Sequence, residues 1–201
     1  MNGDLFQRIR RIYAAVQTAE ESDPNGLMAK VISTKNLIGV CQDFSGGRSP
    51  AELSNIAHSM IHIIANFGNH LKRLACRNER DKKKIDEMIK ESMELRIIMD
   101  LSNNEKHGYP PRNGGDSGRC PQLVKINCVM RLKTRGQKGS KSGMVQGPNG
   151  IPKFFGDGTT KAVVTGEVVD KDNNPIGDLY DIATKAMEVW EKILNKFDVT
   201  Y

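Results

Sequence analysis

A mainly α-helical fold, a helical bundle with a small antiparallel β-appendage and a C-terminal amphipathic helix, follows from three features of the sequence. Apolar residues recur at helical spacing over 50–77, 81–107 and 179–197. Two β-branched stretches, "LVKINCVMRLKT" (123–134) and "KAVVTGEVVD" (161–170), alternate over part of their length. Clusters of Gly, Pro and Asn separate the periodic segments. Residues 1–116 read as the bundle. Residues 117–201 read as a β-hairpin with a basic Gly-rich loop and the last helix, packed on the bundle as one globular unit, because so small a β-unit cannot stand alone.

The elements follow in order. Leu5, Ile9, Ile12, Tyr13 and Val16 predict a helix over 4–20, with Asp4 as its cap. "SDPNG" breaks it. Leu27, Val31, Leu37, Ile38 and Cys41 predict a second helix over 27–42. After the loop "SGGRSP", Ser49 and Pro50 start a long third helix, since Pro is tolerated in a first turn. Its apolar face is Ile56, Met60, Ile63, Ile64, Phe67, Leu71 and Leu74; its opposite face carries His58, His62, Asn69 and Arg73, with Asn66 and His70 at the boundaries. A fourth helix covers 81–107 and stops at "HGYPP". The two strands flank a Gly- and Lys-rich loop at 135–160, and "KDNNPIGD" reads as a turn. Leu179, Ile182, Ala186, Val189, Trp190, Ile193, Leu194 and Phe197 then share one helix face.

Composition narrows the function classes. Apolar residues make up 38% of the chain, enough for a packed core, while aromatics at 5% argue against a base-stacking platform. A net charge of +6 is compatible with an anionic partner. Cys41, Cys76, Cys120 and Cys128 are scattered with no CxxC and no zinc spacing, as expected of thiols in a reducing compartment. The N-terminal stretch lacks the apolar core of a signal peptide, and no apolar run approaches a membrane span. The expectation is a cytoplasmic protein with no membrane partner and no cofactor.

The segment "RIIMDLSNNEKHGYPP" (96–111) stands out. On a helix, Ile85, Ile89 and Met93 make an apolar stripe that Arg96, Asp100, Asn103 and His107 continue as a polar one. Such a set is costly to bury unless paired, and the i,i+4 spacing supplies partners: Arg96 with Asp100, Asn103 with His107. One reading is a satisfied network or a solvated face, with His107 favoured by the helix C-terminal dipole. The other is a polar cleft in which His107 is the acid/base and Arg96 or Lys106 holds an anion.

"DLSNNEKH" (100–107) resembles the Asp-x-x-Asn-x-x-Lys-His element of bacterial helical proteins similar to the HEPN superfamily, and "NHLK" (69–72) stands where that pattern often has His-Leu-Lys upstream. The resemblance implies a HEPN-like bundle and a homodimer. It also implies recognition of RNA or a nucleotide, and metal-independent RNA cleavage in a bacterial toxin or antiphage system. It assigns catalysis to His107, with Asp100, Asn103 and Arg96 around it, and ligand binding to Lys106, His70 and Lys72. Ten residues separate Arg96 and His107, more than the usual Arg-to-His interval of that superfamily, and Asn103 stands where its Arg is expected. The alternative is a non-catalytic protein-interaction or small-ligand-binding protein whose polar stripe is structural.

Four further motifs bear on function. Eight Lys or Arg residues and no acid fall between 117 and 156; Arg131, Lys133, Arg135, Lys138 and Lys141 are the nucleic-acid-binding candidates, against a solvated loop. His58 and His62 are i,i+4 but no HExxH is present, which favours a hydrogen-bonded pair over a metal site. "GQKGSKSG" lacks the Gly before Lys that a P-loop needs, and "DKDNNPIGDLYD" lacks the Gly and Glu of a calcium loop.

Overall fold

The computed structural model describes residues 2–21, 29–34, 37–42, 44–74, 79–108, 112–133, 143–146, 152–155 and 159–197. Among them are five α-helices: α1 (Asn2–Thr18), α2 (Pro50–Leu74), α3 (Glu79–Glu91), α4 (Met93–His107) and α5 (Leu179–Lys196). The strands are β1 (Glu20–Glu21), β2 (Ala29–Thr34), β3 (Leu37–Gln42), β4 (Gln122–Lys133), β5 (Gly143–Gln146), β6 (Pro152–Phe155), β7 (Thr159–Val169) and β8 (Pro175–Asp178). The protein is mainly α with a small antiparallel β-unit.

Helix α2 is the hub. Ser49 and Glu52 start it with a capping box: Ser49 N donates to Glu52 Oε2 at 2.7 Å, and Glu52 N donates back to Ser49 Oγ at 3.3 Å. The Ser49 backbone and hydroxyl hydrogen bonds hold the Glu52 carboxyl below its ordinary range. The helix packs against α1, α3, α4, α5, β4 and β7. Its apolar face, with Ala57, Met60, Ile61, Ile64, Phe67 and Leu71, joins one core with Ile9 and Ile12 of α1, Leu95 and Ile98 of α4, Val164 of β7 and most of α5. The two halves of the chain therefore share a single core. Trp190 of α5 is its centrepiece: its indole N–H donates to the Ile64 carbonyl at 3.2 Å, and its ring meets Phe67 edge-on at 5.3 Å.

In the main sheet β7 lies between β4 on one edge and β1 and β8 on the other, all antiparallel. Residues Ala162–Gly166 of β7 are buried, so both faces of this strand are covered, which its Val-rich sequence anticipates. The β4–β7 ladder is interrupted between Val124 and Asn127, where Lys125 takes a positive φ of 50°. That bulge bends the outer strand and blunts its unpaired edge.

Four expectations need correction. The segment expected as a helix over 27–42 is the hairpin β2–β3, with Thr34 opposite Leu37. Its β-branched residues suit strands, and its few apolar positions fit either period. The helix expected over 81–107 is two helices. Ser92 interrupts it with extended backbone (φ −94°, ψ 117°) and caps α4 by accepting from Leu95 N at 3.2 Å. Helix α1 begins at Asn2, so Asp4 lies inside it and does not cap it. The loop expected over 135–160 contains the short pair β5–β6. The turn read at 170–174 is one: Asp170 Oδ1 accepts from Asp172 N and Asn174 N at 2.8 and 2.9 Å, and Asn174 holds the Asp170 carboxyl below its ordinary range.

Gly68 sits where α2 meets Trp190: a Cβ there would lie 2.9 Å from the indole ring. Alanine gains helix propensity but overpacks a buried ring, so Gly68→Ala is expected to lose about 1–2 kcal/mol net. Urea unfolding checks this, and a gain in stability would show that the Trp190 ring has room to shift.

Candidate functional site

Helices α2, α3 and α4 enclose an open polar groove of about 590 Å³. Helix α2 contributes Ala65, Asn66, Asn69 and Lys72; helix α3 contributes Asp86, Ile89 and Lys90; helix α4 contributes Arg96, Met99, Ser102, Asn103 and Lys106. Asp116, from the loop after α4, completes the rim. Four cations thus face two carboxylates around three side-chain amides. Lys72 pairs with Asp86 and ties α3 to α2. Lys106 Nζ donates to Asn66 Oδ1 at 3.3 Å across the α2–α4 seam. Lys90, by contrast, is exposed.

The polar stripe of α4 divides between two environments, and helical geometry explains how. At about 100° per residue, Asp100 lies about 40° to one side of Arg96, whereas Asn103 and Met99 lie about 20° and 60° to the other. Asn103 therefore turns to the groove. Asp100 turns to the loop that follows the helix and is 1% exposed. Its two oxygens each accept one backbone N–H, from Asp116 and Ser117, both at 2.8 Å. Arg96 Nη1 donates to the Asp116 carbonyl at 3.2 Å, and Asn104 Nδ2 donates to the Pro121 carbonyl at 2.5 Å. One face of α4 thus folds the loop "NGGDSGRCP" down against itself.

This placement corrects the expected catalytic set. Asp100 does not orient His107: both its oxygens are committed to backbone amides. His107 ends α4, about 16 Å along the helix axis from Arg96, and is exposed. It shares an azimuth with Arg96 but, among the described residues, it is not part of the groove lining. Gly108 then stops the helix with φ 69° and donates its N–H to the Asn104 carbonyl at 2.8 Å. Arg96, Asn103, Lys106 and Lys72 do meet at the groove. His70 borders a separate cavity of about 190 Å³ with Arg11, His62 and Phe67.

The basic candidates divide as well. Arg131 is a clamp for the start of α5: it pairs with Asp178 at 2.6 Å and with Asp181, and stacks 5.0 Å from the Tyr180 ring centre. Its charge is neutralised within the fold. Lys133 is the last residue of β4. Arg135, Lys138 and Lys141 lie outside the described residues.

Four participants escaped the sequence reading. Lys90 is a groove cation whose only signal was its charge. Ser102 and Glu105 are partners for the histidine pair: Ser102 Oγ lies 2.8 Å from His62 Nδ1, and Glu105 Oε2 lies 2.9 Å from His62 Nε2. His58 Nδ1 approaches the same oxygen to 2.5 Å, off the direction of an aligned hydrogen bond. The i,i+4 spacing marked the histidines, but nothing in the sequence says which residues of another helix face them. The fourth participant, Asn66, lies where the apolar and polar faces of its helix meet and bridges to Lys106. The two histidines and Glu105 close on one another, and among the described residues no group of three or more His, Cys, Asp or Glu is arranged to hold a metal ion.

Asp100→Asn replaces an oxygen acceptor with an N–H donor facing a backbone amide. It is expected to cost about 2–3 kcal/mol, the penalty of a buried donor left unpaired. Gly115→Ala, whose Cβ would fall 2.4 Å from Asp100 Oδ1 at φ 73°, is expected to cost at least as much. Chemical denaturation of both variants checks this; near-wild-type stability would mean that the carboxylate is not the anchor.

No helix among the described residues is long and apolar enough to cross a membrane. Comparison of the chain with protein-family models, with curated proteins and with solved structures returns no match, so the functional reading rests on the geometry of the groove.

Proposed function

We propose that the α2–α3–α4 groove binds the phosphates of a nucleotide or of an RNA strand. The observation that carries this reading is the convergence of Lys72, Lys90, Arg96 and Lys106 on one open groove that, among the described residues, is lined by two carboxylates. Lysine and arginine side chains on a concave surface supply the point charge and the forked donors that phosphate takes. Asn66, Asn69 and Asn103 add donors and acceptors at the same surface, suited to ribose hydroxyls or base edges.

The proposal is one of binding. Cleavage by the expected His107 would need that imidazole beside the bound phosphate, and it lies outside the groove lining. The alternative of a structural stripe is favoured for Asp100 by its two backbone hydrogen bonds and is supported for Arg96 by its bond to the Asp116 carbonyl; Lys90 and Lys106 stand exposed at the groove. The homodimer expected from the resemblance remains part of the proposal, and light scattering checks it.

Fluorescence polarisation with a labelled RNA oligomer across a salt series tests the reading. Lys90→Ala and Lys106→Ala sit on the rim, away from the core. Each is expected to weaken binding a few-fold and to reduce the log–log salt slope by about 0.7 for each phosphate contact removed. An unchanged affinity and slope in the double variant would contradict the proposal.

A further inference from the structure

Serine, imidazole and carboxylate form a hydrogen-bonded series across the α2–α4 seam, and its serine borders the groove. Ser102 Oγ lies 2.8 Å from His62 Nδ1, and His62 Nε2 lies 2.9 Å from Glu105 Oε2. Helix α2 presents the imidazole; α4 presents the other two, one turn apart. The carboxylate at Nε2 keeps the ring proton on that side, so the Nδ1 lone pair faces the serine hydroxyl. His58 Nδ1 also lies 2.5 Å from the same carboxylate oxygen. A hydroxyl, a base within hydrogen-bond reach and a third group orienting the base are the parts of an activated nucleophile.

The position of this series separates it from a random interhelical network. Ser102 lines the cationic groove although it is 1% exposed, so it forms the floor and not a wall. His62 and Glu105 are not part of that lining among the described residues; their side chains are 29% and 37% exposed on the far side of the seam. The base is thus reached by a groove ligand only through the serine. Lys106, one turn on from Ser102 on the same helix, stands at the groove as the cation able to receive negative charge developing on a substrate oxygen.

We propose that Ser102 is an acyl-accepting nucleophile, with His62 as its general base and Glu105 as the residue that positions His62, acting on a carboxylic ester that carries a phosphate group. The phosphate part of this assignment rests on the reading of the groove given above; the nucleophile does not. In the step, the Ser102 Oγ–carbonyl carbon bond forms as the hydroxyl proton passes to His62 Nδ1. The ester C–O bond then breaks, and the departing oxygen takes that proton. Water attacks the acyl-serine with His62 again accepting a proton, and returns it to Ser102 Oγ as the carboxylic acid leaves.

A fluorophosphonate probe, which forms a covalent adduct with activated serines, tests this on the full chain, with the adduct located by peptide mass spectrometry. The expected result is one adduct on Ser102, absent in Ser102→Ala. His62→Gln and Glu105→Gln are expected to slow it by about 10²-fold or more. Glu105→Asp should restore part of the rate, which a merely structural loss would not allow. Should Ser102→Ala fail to fold, the partly exposed Glu105 variants carry the comparison, with circular dichroism as the folding control. Adenosine monophosphate and inorganic phosphate are each expected to slow labelling. No adduct on the folded protein, or equal labelling in His62→Gln and Glu105→Gln, overturns the nucleophile, and RNA binding retained by such a protein leaves the groove reading standing. Labelling of Ser102 that neither phosphate compound slows overturns the phosphate-bearing substrate.

Discussion

The carboxylate of Asp100 is the constraint on which the geometry around α4 depends. A charge buried at 1% exposure is tolerated only with close compensation, and two backbone amides at 2.8 Å supply it. Each side imposes conditions on the other. The amides of Asp116 and Ser117 converge only because the loop turns through left-handed backbone at Asn113, Gly114, Gly115, Gly118 and Cys120. Gly115 must be glycine because Asp100 occupies the space a Cβ would need. The anchored loop then sets Asp116 on the groove rim, brings its carbonyl to Arg96, and delivers the chain to Pro121 and the start of β4.

The opposite side of α4 is a mixed seam with α2. Leu95, Ile98 and Leu101 supply apolar area toward the core, while Ser102, Glu105 and Lys106 meet His62, His58 and Asn66. Apolar contacts give this seam its stability and the polar ones its register, since a helix slid by one residue loses every partner at once. The groove is the consequence: just beyond the seam's apolar limit Lys72 closes on Asp86, while Lys90 and Lys106 stay exposed at the groove. The α3–α4 break at Ser92 contributes equally, because it lets Asp86, Ile89 and Lys90 border the same groove as Lys106.

The sequence made some of this legible and not the rest, for physical reasons. Long amphipathic segments such as α2 and α5 announce themselves because many residues repeat one period. The hairpin β2–β3 did not, because six-residue strands carry too few positions to separate periods of 2 and 3.6. Ser92 is a helix-start residue inside an unbroken apolar pattern, so the pattern hid the break. Within the site, residue types and same-helix spacing marked Arg96, Asn103, Lys106 and the histidine pair. The sequence did not reveal that Asp100 and Asn103, three residues apart on one stripe, face a loop and a groove respectively. That division depends on where a loop of glycines chooses to lie, which is a tertiary fact.

The central claim is that Asp100 holds the loop to α4 through the amides of Asp116 and Ser117. Native-state hydrogen exchange of those two amides tests it most directly, since both belong to a loop and only the carboxylate explains their protection. The account predicts slow exchange in the wild type, approaching that of the core helices, and a large acceleration at both amides in Asp100→Asn while α2 and α5 stay protected. Rapid exchange of both amides in the wild type would contradict it.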